Sequence, residues 1–235
     1  MYENTNSMTV TQARQEASTV FLAKTFNWMA VGLAITGVVA YFTASTGVAY
    51  SIISSPLFYV LIFAELGLVF YLSARISKIQ ASTASGLFIG YSVLNGLTLS
   101  VIFLAYTSSS IASTFFITAG MFGSMAIYGL VTKRDLSGWG SFLFMGLIGV
   151  IIASVVNIFL QSSAMSWMIS MIGVIVFTGL TAYDVQKIKK IGEDGIMTQG
   201  DEAIRKGSIM GALRLYLDFI NLFLMLLRFF GGSRN

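Results

Sequence analysis

The chain has 235 residues, 56% of them hydrophobic and 10% charged, with a net charge of +4, and its mean hydropathy of +0.81 lies far above that of soluble globular domains. That composition excludes a soluble enzyme head and predicts a membrane domain, because spans of roughly 20 apolar residues leave room for six to eight crossings joined by short loops. Cysteine and histidine are both absent, which removes disulfides, thiolate nucleophiles, zinc-thiolate sites and imidazole switches; any ion site is built from oxygen and suits protons or hard cations such as calcium or magnesium.

Residues 1–20 are polar, carry both signs of charge and read as a short cytoplasmic arm ahead of a single polytopic domain over 21–235. The first apolar helix runs from about Lys24 to Phe42. It is longer than the core of a signal peptide and its flank is acidic as well as basic, so it reads as an uncleaved span. Apolar stretches at 55–74, 84–106, 111–131, 139–160 and 165–186 bring the total to six spans. A seventh, at 208–230, is apolar but carries Arg214, Asp218 and Arg228. The single proline, Pro56, and the 23 dispersed glycines argue against a proline-rich linker or a second soluble module.

Loop charges predict the orientation. Arg14 and Lys24 precede the first helix; Arg75 and Lys78 follow the second; Lys133 and Arg134 follow the fourth; Lys187, Lys189, Lys190, Arg205 and Lys206 follow the sixth. The alternate loops, at 43–54, 107–110 and 161–164, carry no charge. This is the positive-inside pattern with a cytoplasmic amino terminus. The side of the carboxyl terminus stays open, since an odd helix count places Arg228 and Arg234 against the rule. The basic residues are dispersed among short loops, which speaks against nucleic-acid binding. Small-residue spacings such as Gly86-x-x-x-Gly90, Gly120-x-x-Gly123 and Gly146-x-x-Gly149 are expected to serve packing within one bundle, with an oligomer contact as the other reading.

Three carboxylates fall inside spans, where an ionised group is costly unless paired, hydrated or protonated. Glu65 lies ten residues before Arg75, roughly 15 Å along a helix and so near the middle of the membrane. Asp184 lies three residues before Lys187, close to the cytoplasmic boundary. Counting from Arg214 at that boundary places Asp218 roughly 6 Å deep, level with Asp184, and leaves Leu215 to Phe230 to span roughly 24 Å, which suits a helix surrounded by others. Structural readings remain open: Asp184 pairs with Lys187 or Lys190, Arg214 and Asp218 neutralise each other at i,i+4, and Glu65 is an interhelical hydrogen-bond donor. Two carboxylates that share a site cannot both ionise freely, so such a pair can hold a proton or a divalent cation near neutral pH.

The phrases around these aspartates are Gly179-Leu180-Thr181-Ala182-Tyr183-Asp184-Val185-Gln186-Lys187 and Gly211-Ala212-Leu213-Arg214-Leu215-Tyr216-Leu217-Asp218-Phe219-Ile220-Asn221. With Thr132-Lys133-Arg134-Asp135-Leu136-Ser137 in the fourth loop, they make the chain similar to the transmembrane Bax-inhibitor-motif family in its bacterial inner-membrane branch. The resemblance runs from the first helix onward. It implies an all-α membrane protein of seven transmembrane helices, with the last helix central in the bundle. It also implies a pH-sensitive calcium leak in which Asp184 and Asp218 are the calcium- and proton-sensing pair, Arg75 is the gating latch on the first aspartate, and Glu65 lines the pore. Calcium is then the transported ion and no cofactor or catalytic residue is expected. The implied surroundings are the lipid bilayer, calcium and protons, with membrane-protein partners and oligomerisation open.

Two other classes compete. Intramembrane aspartyl proteases also place Tyr-Asp on a sixth helix and a second aspartate on a seventh. However, the second phrase here reads Tyr216-Leu217-Asp218 rather than Gly-x-Gly-Asp, and with Pro56 the only proline there is no Pro-Ala-Leu motif. A non-conducting regulator that binds other membrane proteins also fits the residues. A rhodopsin does not, since no lysine lies inside the last helix.

Overall fold

The structure, a computed structural model, describes residues 2–232, with side chains described from Gln12 onward. The chain is 88% helical, and among the described residues there is no strand. The helices are α1 (Tyr2–Ser45), α2 (Val48–Ile53), α3 (Leu57–Arg75), α4 (Ala81–Leu99), α5 (Ile102–Ala105), α6 (Ser108–Val131), α7 (Ser137–Leu160), α8 (Ser163–Glu193) and α9 (Asp201–Phe230). Seven segments are long and apolar enough to cross a membrane, with α4 and α5 together forming the third. The all-α, seven-span expectation therefore holds.

Local chemistry sets the breaks. α1 stops at Gly47, whose left-handed φ of 76° costs glycine little and turns the chain into α2. Pro56 immediately precedes α3, where a missing N–H leaves no helical bond unmade. Thr107 caps α6 by accepting the Ser110 N–H at 3.3 Å. The α7–α8 turn is held by Asn157, which accepts the Ser162 N–H at 3.0 Å and donates to Ser166 Oγ at 2.7 Å.

The helices are longer than the apolar runs. The backbone of the expected amino-terminal arm is helical from Tyr2 and continuous with the first span. Ser18, also in that arm, is buried and donates to the Lys189 carbonyl at 3.0 Å. This departs from a fully solvated arm, and the reason is that α8 and α9 continue beyond their apolar stretches and give α1 something to pack on.

The chain divides into two compact units, one formed by residues up to 104 with 187–214, the other by 105–186 with the chain from 215 onward. In the first, α4 packs chiefly against α1 and α3. A Cβ on Gly32 would meet Phe88 at 2.8 Å and one on Gly96 would meet Val39 at 2.7 Å, while Thr36 donates to the Ser92 carbonyl at 2.8 Å. The extensions of α8 and α9 join this unit: Gly207 lies against Ile196 and Phe21, Gly211 against Thr25 and Ile188. Arg205 donates to Ser85 Oγ at 2.8 Å and lies over the Trp28 ring at 5.7 Å, and the Ala81 N–H that opens α4 donates to the Glu202 carboxylate.

In the second unit α6, α7, α8 and the later part of α9 pack together. Gly140 lies under the Tyr183 ring, Gly146 against Val176, Gly179 against Leu143 and Gly173 against Met225. The glycine pairs singled out by spacing are not these: a Cβ on Gly86, Gly90, Gly120, Gly123 or Gly149 would meet nothing within 4 Å, and only Gly146 makes a close approach. Spacing marks a smooth helix face without saying whether a neighbour uses it. α9 is the most enclosed span: 72% of its apolar window is buried, against 11–39% for the other six. That burial explains how a span carrying Arg214 and Asp218 is tolerated.

Candidate functional site

Both aspartates singled out in the sequence fall in the second unit, and both are buried, at 8% exposure for Asp184 and 5% for Asp218. Asp184 sits on a turn of α8 whose neighbours are nearly sealed: Thr181, Ala182, Val185 and Ile188 are each at most 2% exposed. Three contacts fix that turn. The Ala182 carbonyl lies where a Cβ on Gly129 of α6 would be, so α6 and α8 touch backbone to backbone. The Tyr183 ring comes within 2.5 Å of where a Cβ on Gly140 of α7 would lie. Gln186 reaches across to the α6–α7 loop, accepting the Leu136 N–H at 2.9 Å and donating to the Arg134 carbonyl at 2.8 Å.

Gln186 is a residue that hydropathy and charge counting pass over. It is buried, and its single amide pairs with two backbone groups of a loop that has no regular structure, so it does for that loop what a helix or strand ladder does elsewhere. Its place two residues after Asp184, inside the quoted phrase, is the one sequence signal of it.

Asp218 is set by aromatic packing. Tyr216 is fully buried, and the Phe219 ring meets Phe115 at 5.4 Å and Phe122 at 5.5 Å, both edge-on from α6. Phe223, one turn later, also meets Phe115, at 6.5 Å. These contacts orient one face of α9 toward α6 and fix the rotation of the helix, hence the direction of the carboxylate one residue before Phe219.

The other two residues belong to the first unit. Glu65 is half-buried on α3; its carboxylate accepts from Asn95 Nδ2 at 3.2 Å and from the Thr98 hydroxyl, both on α4. Arg75 ends α3 and is exposed. Among the described residues no group of three or more Asp, Glu, His or Cys gathers as a metal cage.

This architecture defines a multi-pass α-helical membrane protein with acidic groups buried in its spans. Residues 18–235 match the family described as "Inhibitor of apoptosis-promoting Bax1", and the chain belongs to that family. It is 54% identical to the inner membrane protein YbhL of Escherichia coli over 91% of this chain and 92% of the relative. It is 44% identical to an uncharacterized protein of Rickettsia prowazekii over the whole of both chains, and 38% identical to an uncharacterized membrane protein of Streptococcus pyogenes over 91% and 93%.

Proposed function

We propose that this protein is a pH-sensitive calcium leak channel of the bacterial inner membrane, gated by Asp184 and Asp218. The observation that supports this most directly is the burial of two carboxylates in one unit on the last two helices, in a chain that keeps charge out of nearly all its other apolar stretches. Buried ionisable groups in membrane helices mark ion and proton pathways, and hard oxygen ligands suit calcium. Two carboxylates supply fewer oxygens than the six to eight that calcium takes, so the passing ion keeps water or borrows carbonyls. Such a site binds weakly enough to let the ion leave, as conduction requires.

On this reading Arg75 is the latch that holds Asp184 in the closed state, and Glu65 is the carboxylate that lines the path. The protein is not an enzyme, requires no cofactor, and acts on calcium and protons as transported and sensed ions. The name of the Escherichia coli relative supports the inner membrane as the location, and the charged loops support a cytoplasmic amino terminus.

Reconstitution into calcium-loaded liposomes tests the proposal. The expected result is a calcium efflux that depends on pH between about 6 and 8 and loses that dependence in Asp184→Asn and Asp218→Asn. Absence of efflux from correctly inserted protein would overturn the channel and leave a non-conducting membrane regulator.

A further inference from the structure

The first unit contains an acid whose hydrogen-bond partners on the neighbouring helix are neutral. Glu65 stands in the middle of α3, and among the described residues the helices that pack most closely on α3 in that unit are α4 and α2. The titratable side chains on those two helices are Tyr91 and Tyr50, and neither helix carries Lys, Arg, Asp or Glu. On α3 itself the remaining titratable groups are Tyr59, Tyr71 and Arg75, the last ten residues away and at the helix end. No cation on these elements faces the carboxyl.

What faces it is a set of adaptable hydrogen-bonding groups. Asn95 Nδ2 lies 3.2 Å from Oε2 and also 3.5 Å from the Tyr91 hydroxyl. The Thr98 hydroxyl lies against Oε1 and, at the same time, 3.2 Å from the Leu94 carbonyl. A threonine hydroxyl has one hydrogen and two lone pairs, so it cannot donate to both.

The two acceptors correspond to the two charge states of the acid. When Glu65 is ionised, the Thr98 hydrogen points at Oε1 and makes a charge-assisted bond. When Glu65 is protonated, its own O–H donates to Thr98 Oγ1, and the threonine hydrogen swings to the Leu94 carbonyl. No heavy atom moves. A carboxylate held only as an ion calls for a fixed cation, and an acid held only as a neutral donor calls for a carbonyl, which has no hydrogen to return. The Thr98 hydroxyl serves both states, as a site that exchanges a proton requires.

We propose that Glu65, Asn95 and Thr98 form a proton-binding site in the first unit, built from other residues than Asp184 and Asp218, with Thr98 as the hydroxyl rotor that matches both charge states. The site takes a proton from water or from a passing cation's hydration shell, and it exists whether or not the protein conducts calcium.

Infrared difference spectroscopy of the full chain in liposomes, with equal pH on both sides and no ion gradient, tests it. Wild type should show a carboxylic C=O band that comes and goes with pH between about 4 and 9, retained in the Asp184→Asn/Asp218→Asn double variant and lost in Glu65→Gln. Thr98→Val should move that band to higher wavenumber because the acid loses its acceptor, and Thr98→Ser should return it. A Glu65 band that does not respond to pH, or that keeps its position in Thr98→Val, overturns the proposal and makes Glu65 a structural acid. Because no flux is measured, failure of the calcium leak would leave this result intact.

Discussion

At the aspartates the proposed pH response rests on single side chains and on their burial. Asp184 and Asp218 are each less than a tenth exposed, and an ion held there without a partner costs several kcal/mol. If the pair binds proton and calcium as proposed, removing one ionisable group removes their competition, and Asp184→Asn or Asp218→Asn should flatten the pH profile of calcium efflux while the protein stays folded. The latch is tested by Arg75→Ala. If the closed state loses about 1 kcal/mol of contact that the open state never had, efflux at neutral pH should rise about fivefold, and an unchanged leak would sink the latch. Gln186 calls for a different measurement. Replacing it by alanine leaves the buried Leu136 N–H and the Arg134 carbonyl without the amide, at a cost of about 1–3 kcal/mol. Hydrogen exchange at the Leu136 amide should accelerate sharply, and protection equal to wild type would show that the clamp is dispensable.

At the scale of the helix, hydropathy located the spans because a lipid-facing segment has to be apolar along most of its length. It did not locate the helix ends. α8 and α9 continue through Lys187–Glu193 and from Asp201, and nothing in an apolar count signals a polar extension that packs on another helix. Glycine spacing was equally blind: Gly86 and Gly90 share the i,i+4 signature with helix contacts but face open space, while Gly129, with no partner at that spacing, meets the Ala182 carbonyl. The distinction yields a paired prediction. Gly129→Ala should destabilise by about 1–3 kcal/mol, since backbone cannot yield as a flexible side chain does, and Gly86→Ala should be nearly neutral. Thermal unfolding in detergent separates the two, and equal melting temperatures would contradict the close approach of α6 to α8. The aspartate phrases were legible for a different reason, as charge inside an apolar run stands out, whereas Glu65 was visible but its partners Asn95 and Thr98 were not, being ordinary polar residues on another helix.

For the whole molecule the question is which side of the membrane each loop occupies, and the charges answer it more sharply than the helices do. The seven spans fix how often the chain crosses but not its direction. Lys133 and Arg134 lie in the loop between α6 and α7, and Lys187, Lys189 and Lys190 follow the apolar part of α8, whereas the α5–α6 connection around Ser109 is uncharged. Translocating several lysines and arginines is disfavoured, so the positive-inside rule predicts that the loops that carry them stay in the cytoplasm. Because the chain has no cysteine of its own, single cysteines can be introduced without background. With the protein in intact cells, Lys133→Cys and Lys190→Cys should resist a membrane-impermeant maleimide until the membrane is opened, and Ser109→Cys should react at once. Labelling of Lys190→Cys from outside, or protection of Ser109→Cys, would invert the orientation. It would also move Asp184, three residues before Lys187, from the predicted cytoplasmic end of its helix to the opposite face, and with it the compartment whose pH the proposed pair would sense.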